Sequence, residues 1–373
     1  MAEPRVYSGL EGSRGILAWI VFLSHVVQQT SIGERLPGSW SMMKSGDQAV
    51  SLFIIISGFV ITHLVLSKAE PWPVYIVRRA CRIFPGWLAC LTIALLVQPY
   101  EFQFLTDLPW HDNPHPTNQL LLQAQELAAG RGPIHLALHL TLLHGMVPEQ
   151  ILDQSTFIFL PPGWSLSLEW QFYLIAPLLI AGCLRKPLVT FAICAAGMLI
   201  GRAGAFGTFP LPAFLPLAIL TFWIGIMTRI AFERFDQVKT FPVPLALIGL
   251  AIAVSHFDWA FLGLWIAICA YMKTTPDAKD AWHVALSRLI DTPFMRAVGD
   301  RSYSVYLVHW PCVAASASLA VGVLHLGPWA TFGFTLLAGF IATAVLSDLI
   351  YRTIERPGIR LGRLLAQRLR VAA

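Results

Sequence analysis

Long apolar runs separated by short polar connections follow one another along the chain, a pattern typical of helices that cross a membrane. Such a helix needs about 20 residues to span roughly 30 Å of hydrocarbon. We predict ten of these helices, near residues 12–30, 46–66, 84–99, 164–184, 187–204, 210–232, 241–256, 258–272, 302–324 and 328–353. The predicted fold is therefore all-α: a polytopic membrane bundle that occupies residues 1–373 as a single domain.

The basic residues predict how the bundle is oriented. Cytoplasmic connections of membrane proteins carry an excess of Lys and Arg. If residues 1–11 are cytoplasmic, the same side receives the basic tail 354–373 and Arg78, Arg79, Arg82, Arg185, Lys186, Arg229, Arg234, Lys239, Lys273, Lys279, Arg288 and Arg296. The opposite side keeps Arg35, Lys44, Arg131 and Arg202. This asymmetry predicts that both termini lie in the cytoplasm.

One apolar segment, residues 133–147, is too short to span the bilayer comfortably. We expect it to form a re-entrant or interfacial helix within an outer loop that covers residues 100–163. The segment carries His135, His139 and His144, which suggests metal ligands at helical spacing. No carboxylate or cysteine lies beside them in helical register, so we expect no metal.

Composition excludes a water-soluble globule. The chain is 56% hydrophobic and 13% charged, whereas soluble proteins carry about 25% charged residues. Its net charge of +5 does not indicate nucleic-acid binding, because the basic residues flank the apolar runs. The six cysteines lie in or beside apolar segments without metal-binding or disulfide spacing, and we interpret them as small hydrophobic residues.

Ionisable groups inside predicted spans are candidates for function, because each costs about 2.5–3.5 kcal/mol at mid-bilayer. Arg14 and His25 are eleven residues apart in the first span. Eleven residues return to nearly the same helical face, roughly 16 Å further along the axis. The resulting polar stripe could line a passage across the membrane. Alternatively, Arg14 anchors the helix at the interface and His25 bonds to a neighbour.

Glu169 lies near the start of the fourth span, on one face with Ser165 and Tyr173. We expect its carboxylate to hold His25, which is predicted at similar depth. An imidazole held by a carboxylate suits a general base that activates a hydroxyl nucleophile. The alternative is a structural ion pair between helices.

His309 shares a helical face with Ser302 and Tyr306. This face could supply a second proton-handling or substrate-contacting group, or it could simply pack against a neighbouring helix. Ser57 lies in the middle of the second span, where the Ser57-Gly58 pair favours close helix packing. We also consider a covalent acyl-serine, although Ser57 lacks the Gly-x-Ser-x-Gly context of a nucleophile elbow.

A cluster of arginines precedes the third predicted span. Arg78, Arg79 and Arg82 lie within about one helical turn, and Pro85 is predicted to begin the following helix. Clustered guanidinium groups suit the phosphates of a bulky anionic cofactor. As signals of topology alone, they would need no further explanation.

Taken together, these segments resemble the acyltransferase 3 family of integral membrane acyltransferases. The resemblance runs from Leu10 to Pro357 and corresponds to the stand-alone membrane domain. The matching motifs are Arg14 with His25; Ser57-Gly58-Phe59; Arg79 with Arg82, Ile83 and Pro85; Trp164-Ser165-Leu166 with Glu169, Phe172 and Tyr173; Gly299 with Ser302, Tyr303, Tyr306, Leu307, His309 and Pro311; and Glu355 with Pro357. One departure is Ser51, where many members carry an acidic residue.

The resemblance implies transfer of an acyl group, commonly acetyl, from cytoplasmic acetyl-CoA or another acyl-CoA. The implied acceptor is a hydroxyl of a carbohydrate, glycolipid or related metabolite, and the implied location is a bacterial cytoplasmic membrane. The CoA phosphates would bind Arg14, Arg79 and Arg82, and His25, oriented by Glu169, would be the base. The implied passage is lined by Ser57, Tyr173, Tyr306 and His309.

The main rival is a proton-coupled transporter or flippase that uses the same ionisable residues as a relay or anion path. Such a protein would be expected to show an internal repeat, and the sequence shows no convincing one. A purely structural or receptor-like protein would have no reason to keep His25 and Glu169 in the bilayer.

Overall fold

The computed structural model describes residues 7–33, 43–68, 70–110, 116–128, 130–234, 248–249, 251–252, 259–273 and 280–372. In the first half of the chain the helices are α1 (Ser8–Gln29), α2 (Gly46–Ser67), α3 (Trp72–Thr106), α4 (Pro116–Ala128), α5 (Gly132–Leu140), α6 (Gly163–Arg185) and α7 (Pro187–Arg202). They are followed by α8 (Leu215–Arg234), α9 (Trp259–Lys273), α10 (Ala281–Ile290), α11 (Pro293–Asp300), α12 (Ser302–Gly322), α13 (Pro328–Ile350) and α14 (Arg356–Ala372).

The all-helical membrane bundle is confirmed. Among the described residues, seven helices are long and apolar enough to cross a membrane: Gly9–Gln29, Gly46–Ser67, Trp72–Thr106, Gly163–Arg185, Leu215–Glu233, Ser302–Gly322 and Pro328–Arg370. The predicted spans 187–204 and 258–272 form the shorter apolar helices Pro187–Arg202 and Phe261–Lys273. Most of the predicted span 241–256 lies outside the described residues.

The prediction that Pro85 begins a helix is wrong. Helix α3 starts at Trp72 and continues through Pro85, which has no N–H to donate to the carbonyl of Cys81. Membrane helices tolerate such a proline when neighbouring helices cover the interruption. Here α14 lies against it, because a Cβ added at Gly358 would be 2.7 Å from the Cys81 oxygen. The arginines before Pro85 therefore belong to the membrane helix itself.

Glycines allow the central helices to approach closely. A Cβ added at Gly58 of α2 would lie 2.3 Å from the carbonyl oxygen of Phe222 in α8. From the other side, a Cβ at Gly225 would lie 2.0 Å from the oxygen of Ile55. Small residues at such crossings bring two backbones into contact. The position of α2 relative to α8 is thus fixed at the level of Ser57.

The segment after α3 packs over the end of α1. Asn118 of α4 donates from Nδ2 to the carbonyl oxygen of Gln28 at 3.0 Å and to Ser31 Oγ at 3.1 Å. Helix α5 covers Gly132–Leu140 and has nine residues, too few to cross a bilayer.

A π-helical turn, Tyr351–Glu355, joins α13 to α14. Helix α14, Arg356–Ala372, covers most of the basic tail 354–373.

Candidate active site

A cavity of about 330 Å³ lies among α1, α2, α3, α6, α8 and α12. We call it the arginine cavity, because three guanidinium groups from α1 and α3 line it. Its polar lining includes most of the predicted site residues, namely Arg14, Ser57, Arg79, Arg82, Glu169, Tyr173 and Tyr306. The structure therefore brings together residues that are up to 292 positions apart in the chain.

Glu169 is the centre of the hydrogen bonds in the arginine cavity. Ser57 Oγ donates to Glu169 Oε1 at 2.7 Å, and the Tyr173 hydroxyl donates to the same oxygen at 2.6 Å. The Arg79 guanidinium carbon lies 5.8 Å from the centre of the Tyr173 ring, within the range of a cation–π contact. Two hydroxyls thus donate to the carboxylate, and a cation faces the ring of one of the donors.

The hydrogen bonds described for Glu169 come from Ser57 and Tyr173 and not from His25, the predicted partner. His25 Nδ1 instead donates to Gln28 Oε1 at 2.8 Å, one turn further along α1. Glu169 finds nearer donors in Ser57, on the neighbouring helix, and in Tyr173, one turn along its own helix. Similar depth along two helices does not bring side chains together unless both point into the same interhelical space.

His25 lines a second cavity, of about 510 Å³, which we call the histidine cavity. Its aromatic lining includes Trp164 and Trp310, and its other polar lining consists of Ser24, Gln28, Ser31, Lys44, Asp47 and Gln119. Val50 and Tyr306 line both cavities. The Tyr306 hydroxyl lies 2.6 Å from Ser165 Oγ and 3.1 Å from the carbonyl oxygen of Pro162. The two cavities thus meet at Tyr306.

His309 packs against His25 and is not part of the lining of the two cavities described here. Its ring is fully buried and stacks on the His25 ring, with the ring centres 5.2 Å apart. His309 Nδ1 donates to the carbonyl oxygen of Val305 at 3.1 Å. Of the three residues predicted to share one face, Ser302 and Tyr306 line the arginine cavity and His309 does not.

Glu101 is a buried polar residue that the sequence reasoning missed. It is 5% exposed and accepts from Gln29 Nε2 at 3.1 Å and from Trp310 Nε1 at 3.4 Å. The Trp310 ring in turn meets the His25 ring edge to face, with centres 4.9 Å apart. A carboxylate directly after the apolar run 84–99 was the available signal. It was missed because residues from 100 onward were assigned to a loop, whereas α3 continues to Thr106.

Two of the three histidines of segment 133–147 form a stack. The His139 and His144 rings lie parallel, with centres 4.0 Å apart, and His139 Nδ1 donates to the His135 oxygen at 2.8 Å. Burial lowers the pKa of His139 to about 4, so its ring is neutral at physiological pH. Within the described ranges, no three His, Cys, Asp or Glu side chains converge as metal ligands would.

The fold and the two cavities define an integral membrane protein with a polar centre inside its helical bundle. Residues 7–352 match the family model described as acyltransferase domain, so the chain belongs to the acyltransferase 3 family. It is therefore a membrane acyltransferase.

Three bacterial relatives illustrate the likeness. Acyltransferase MdmB of Streptomyces mycarofaciens is 25% identical, over 96% of this chain and 93% of that protein. Nodulation protein 10 of Rhizobium leguminosarum bv. viciae is 23% identical, over 94% of this chain and 93% of that protein. O-acetyltransferase OatA of Staphylococcus aureus is 25% identical over 96% of this chain but only 58% of its own length. No solved structure gives a significant match.

Proposed function

We propose that this protein is an O-acyltransferase that moves an acyl group, in the simplest case acetyl, from acyl-CoA to a hydroxyl of a carbohydrate, glycolipid or related metabolite. One observation carries the proposal: a cavity lined by three arginines meets a cavity lined by a histidine at the shared residue Tyr306. Such an arrangement gives donor and acceptor separate binding sites. The relative named O-acetyltransferase OatA supports an acetyl group as the cargo.

The arginine cavity is the proposed donor site. Arg14, Arg79 and Arg82 line one space and present guanidinium groups, which pair with phosphate oxygens through two parallel hydrogen bonds. CoA carries phosphates at one end and its thioester at the end of a long, uncharged arm. With the phosphates bound at the arginines, this arm extends along the cavity towards Ser57 and Tyr306.

The histidine cavity is the proposed acceptor site. His25 is the proposed general base, because an imidazole is the side chain that most often transfers a proton to or from a reacting hydroxyl. A hydrogen bond between Nδ1 and Gln28 Oε1, at 2.8 Å, orients its ring. Trp164 offers an aromatic ring and Asp47 offers a carboxylate, groups suited to the faces and hydroxyls of a sugar ring.

The positive-inside pattern supports a bacterial cytoplasmic membrane with both termini in the cytoplasm. In this orientation the arginine cavity would lie towards the cytoplasm, where acyl-CoA is made, because its lining includes Glu11, near the start of α1, and Leu64, near the end of α2. His25 then lies in the outer half of the membrane. The acyl group would cross from one cavity to the other past Tyr306.

The test measures release of CoA thiol and transfer of radiolabel from acetyl-CoA by the purified protein in lipid, with crude cell-envelope glycans as acceptor. His25→Asn keeps an amide that can bond to Gln28 but cannot take up a proton, and we expect it to abolish transfer. His325→Asn is the matched control, because His325 is exposed and its left-handed backbone (φ 51°) tolerates Asn.

Wild-type transfer that is lost in His25→Asn and kept in His325→Asn would support the proposal. Full activity of His25→Asn would overturn the assignment of the base. No consumption of any acyl-CoA, tested with acetyl and longer chains, would overturn the proposed reaction. Movement of a solute unmodified, without acyl-CoA, would instead indicate a transporter.

A further inference from the structure

The Ser57 hydroxyl differs from its neighbours on α2 in where it donates. Ser51 Oγ donates to the Asp47 oxygen at 3.0 Å, and Thr62 Oγ1 donates to the Gly58 oxygen at 2.7 Å. Both bonds go to the carbonyl four residues earlier, the usual pattern for hydroxyls within helices. Ser57 instead donates across the helix interface to Glu169 Oε1 at 2.7 Å. Its oxygen is therefore directed away from its own backbone and into the arginine cavity.

Ser57, Glu169 and Tyr173 are arranged as an activated nucleophile requires. In nucleophilic catalysis a hydroxyl lies within about 2.6–3.2 Å of a base, and a third group orients that base. Glu169 is at 2.7 Å from Ser57 Oγ and accepts from the Tyr173 hydroxyl at 2.6 Å. All three side chains line the arginine cavity. Ser57 does not need the Gly-x-Ser-x-Gly sequence, because its base, Glu169, belongs to a neighbouring helix.

The charges around this group favour binding of the anionic donor beside Ser57. Arg14, Arg79 and Arg82 line the same cavity and are the proposed phosphate ligands of the donor. A cleft lined by charge of one sign attracts a ligand of the opposite charge. The cavity thus combines a nucleophile, a base and positive charge in one space.

His25 and Ser57 line different cavities, and this separation bears on how the acyl group reaches the acceptor. His25 lines the histidine cavity, whereas Ser57 lines the arginine cavity, and the two spaces share Val50 and Tyr306. The base therefore lies in one cavity, and the donor is proposed to bind in the other. A residue that holds the acyl group as an ester would carry it from the donor site to the acceptor site. Val50 lies seven residues before Ser57 on α2, on nearly the same helical face and roughly 10 Å along the axis.

We propose that Ser57 is the nucleophile that accepts the acyl group from acyl-CoA and holds it as an oxygen ester; this proposal rests on the proposed function. Ser57 Oγ attacks the thioester carbonyl while its proton passes to Glu169. The carbon–sulfur bond breaks, and the proton moves from Glu169 to the departing sulfur, so that CoA leaves as a thiol.

In the second step the acceptor hydroxyl attacks the ester carbon from the side of the histidine cavity. The bond between the acyl carbon and Ser57 Oγ breaks. His25 takes up the proton that the acceptor hydroxyl loses. Ser57 Oγ, as the leaving group, takes a proton from a water molecule, and His25 returns its proton to the hydroxide that remains. The enzyme returns to its starting state, and no oxidant, reductant or metal is needed.

The experiment incubates the full-length protein in lipid with radiolabelled acetyl-CoA and no acceptor, quenches with acid, and locates the label by peptide mass spectrometry. We expect up to one acetyl group per chain, on the peptide that contains Ser57. An oxygen ester resists neutral hydroxylamine and is cleaved by alkali. Added acceptor should remove the label.

Three variants sharpen the result. Ser57→Ala should carry no label and lose at least 100-fold in transfer. Ser57→Cys replaces the hydroxyl with a thiol, so its label should become a thioester that neutral hydroxylamine cleaves. This change in lability identifies the atom that carries the acyl group even if Ser57→Ala folds poorly. Ser51→Ala is the matched control on the same helix and should behave as wild type, because that hydroxyl donates to the Asp47 carbonyl oxygen of its own helix.

The outcomes separate this proposal from the proposed function. Label on Ser57 with the predicted change in Ser57→Cys would establish the intermediate. Wild-type transfer to acceptor without label on the protein, label on another residue, or full transfer by Ser57→Ala would overturn the acyl-serine and leave the O-acyltransferase standing. A wild-type protein that neither releases thiol nor becomes labelled would overturn both.

Discussion

Gly58→Ala tests the link between helix packing and the site. The added Cβ would lie 2.3 Å from the Phe222 carbonyl oxygen, which belongs to the backbone of α8 and cannot rotate away. Ordinary contacts between an aliphatic carbon and a carbonyl oxygen begin at about 3.3 Å. Helices α2 and α8 would therefore have to separate by about 1 Å. Ser57, the residue next to Gly58, moves with α2.

Two magnitudes follow from this separation. Overpacking of a core costs about 1–3 kcal/mol, so the variant should be less stable but still folded. A displacement of about 1 Å at a reacting group can cost on the order of 100-fold in rate. We therefore expect kcat to fall about 100-fold. Gly225→Ala should act at least as strongly, because its Cβ would lie 2.0 Å from the Ile55 oxygen.

The assay compares kcat for acetyl transfer with thermal unfolding of the same preparations in lipid. Gly197→Ala is the control, since a Cβ at that position of α7 meets nothing within 4 Å. It should leave kcat unchanged. Wild-type kcat in folded Gly58→Ala would refute the reasoning that the α2–α8 contact sets the geometry of Ser57. So would an equal loss in Gly197→Ala.

Three further predictions concern single side chains. Arg82→Ala should raise the KM for acetyl-CoA about 10- to 100-fold, because a charge-assisted hydrogen bond to the donor is lost. Steady-state kinetics should show that the KM for the acceptor is unchanged. Gln28→Leu should lower kcat about fivefold, because His25 loses a neutral hydrogen-bond partner worth about 1 kcal/mol; an unchanged kcat would contradict a positioning role for Gln28. Asn118→Ala should lower the midpoint of thermal unfolding by a few degrees, since the hydrogen bonds from α4 to Gln28 and Ser31 are lost; a midpoint equal to wild type would contradict that role.

Periodicity within one helix was a good guide to the site. The face of Ser165, Glu169 and Tyr173 was predicted from spacing, and the structure places all three in the lining of the arginine cavity. Apolar run length also predicted the membrane bundle correctly. Both signals are local, because the geometry of a helix relates residues a few positions apart without reference to the rest of the fold.

Contacts between helices could not be predicted in the same way. The partner of Glu169 was assigned from depth alone, and the structure shows Ser57 and Tyr173 instead of His25. Depth fixes position along the membrane normal but not the direction in which a side chain points. The close α2–α8 crossing at Gly58, which decides that direction, depends on packing that a single sequence does not display.

Helix ends were the other source of error. Pro85 was interpreted as the start of a helix, yet α3 passes through it, and Glu101 was assigned to a loop although α3 reaches Thr106. Local rules penalise proline and charge within a helix. Here tertiary contacts offset both penalties, through α14 beside Pro85 and through Gln29 and Trp310 around the Glu101 carboxylate.

The most direct test of the account is the sidedness of transfer in sealed vesicles that contain the purified protein. Radiolabelled acetyl-CoA, which does not cross membranes, is trapped inside, and the acceptor glycans are supplied only outside. The account predicts label on the external acceptor, with CoA thiol appearing inside, and loss of both in His25→Asn. Transfer that requires donor and acceptor in the same compartment would contradict the two neighbouring cavities as the path of the acyl group.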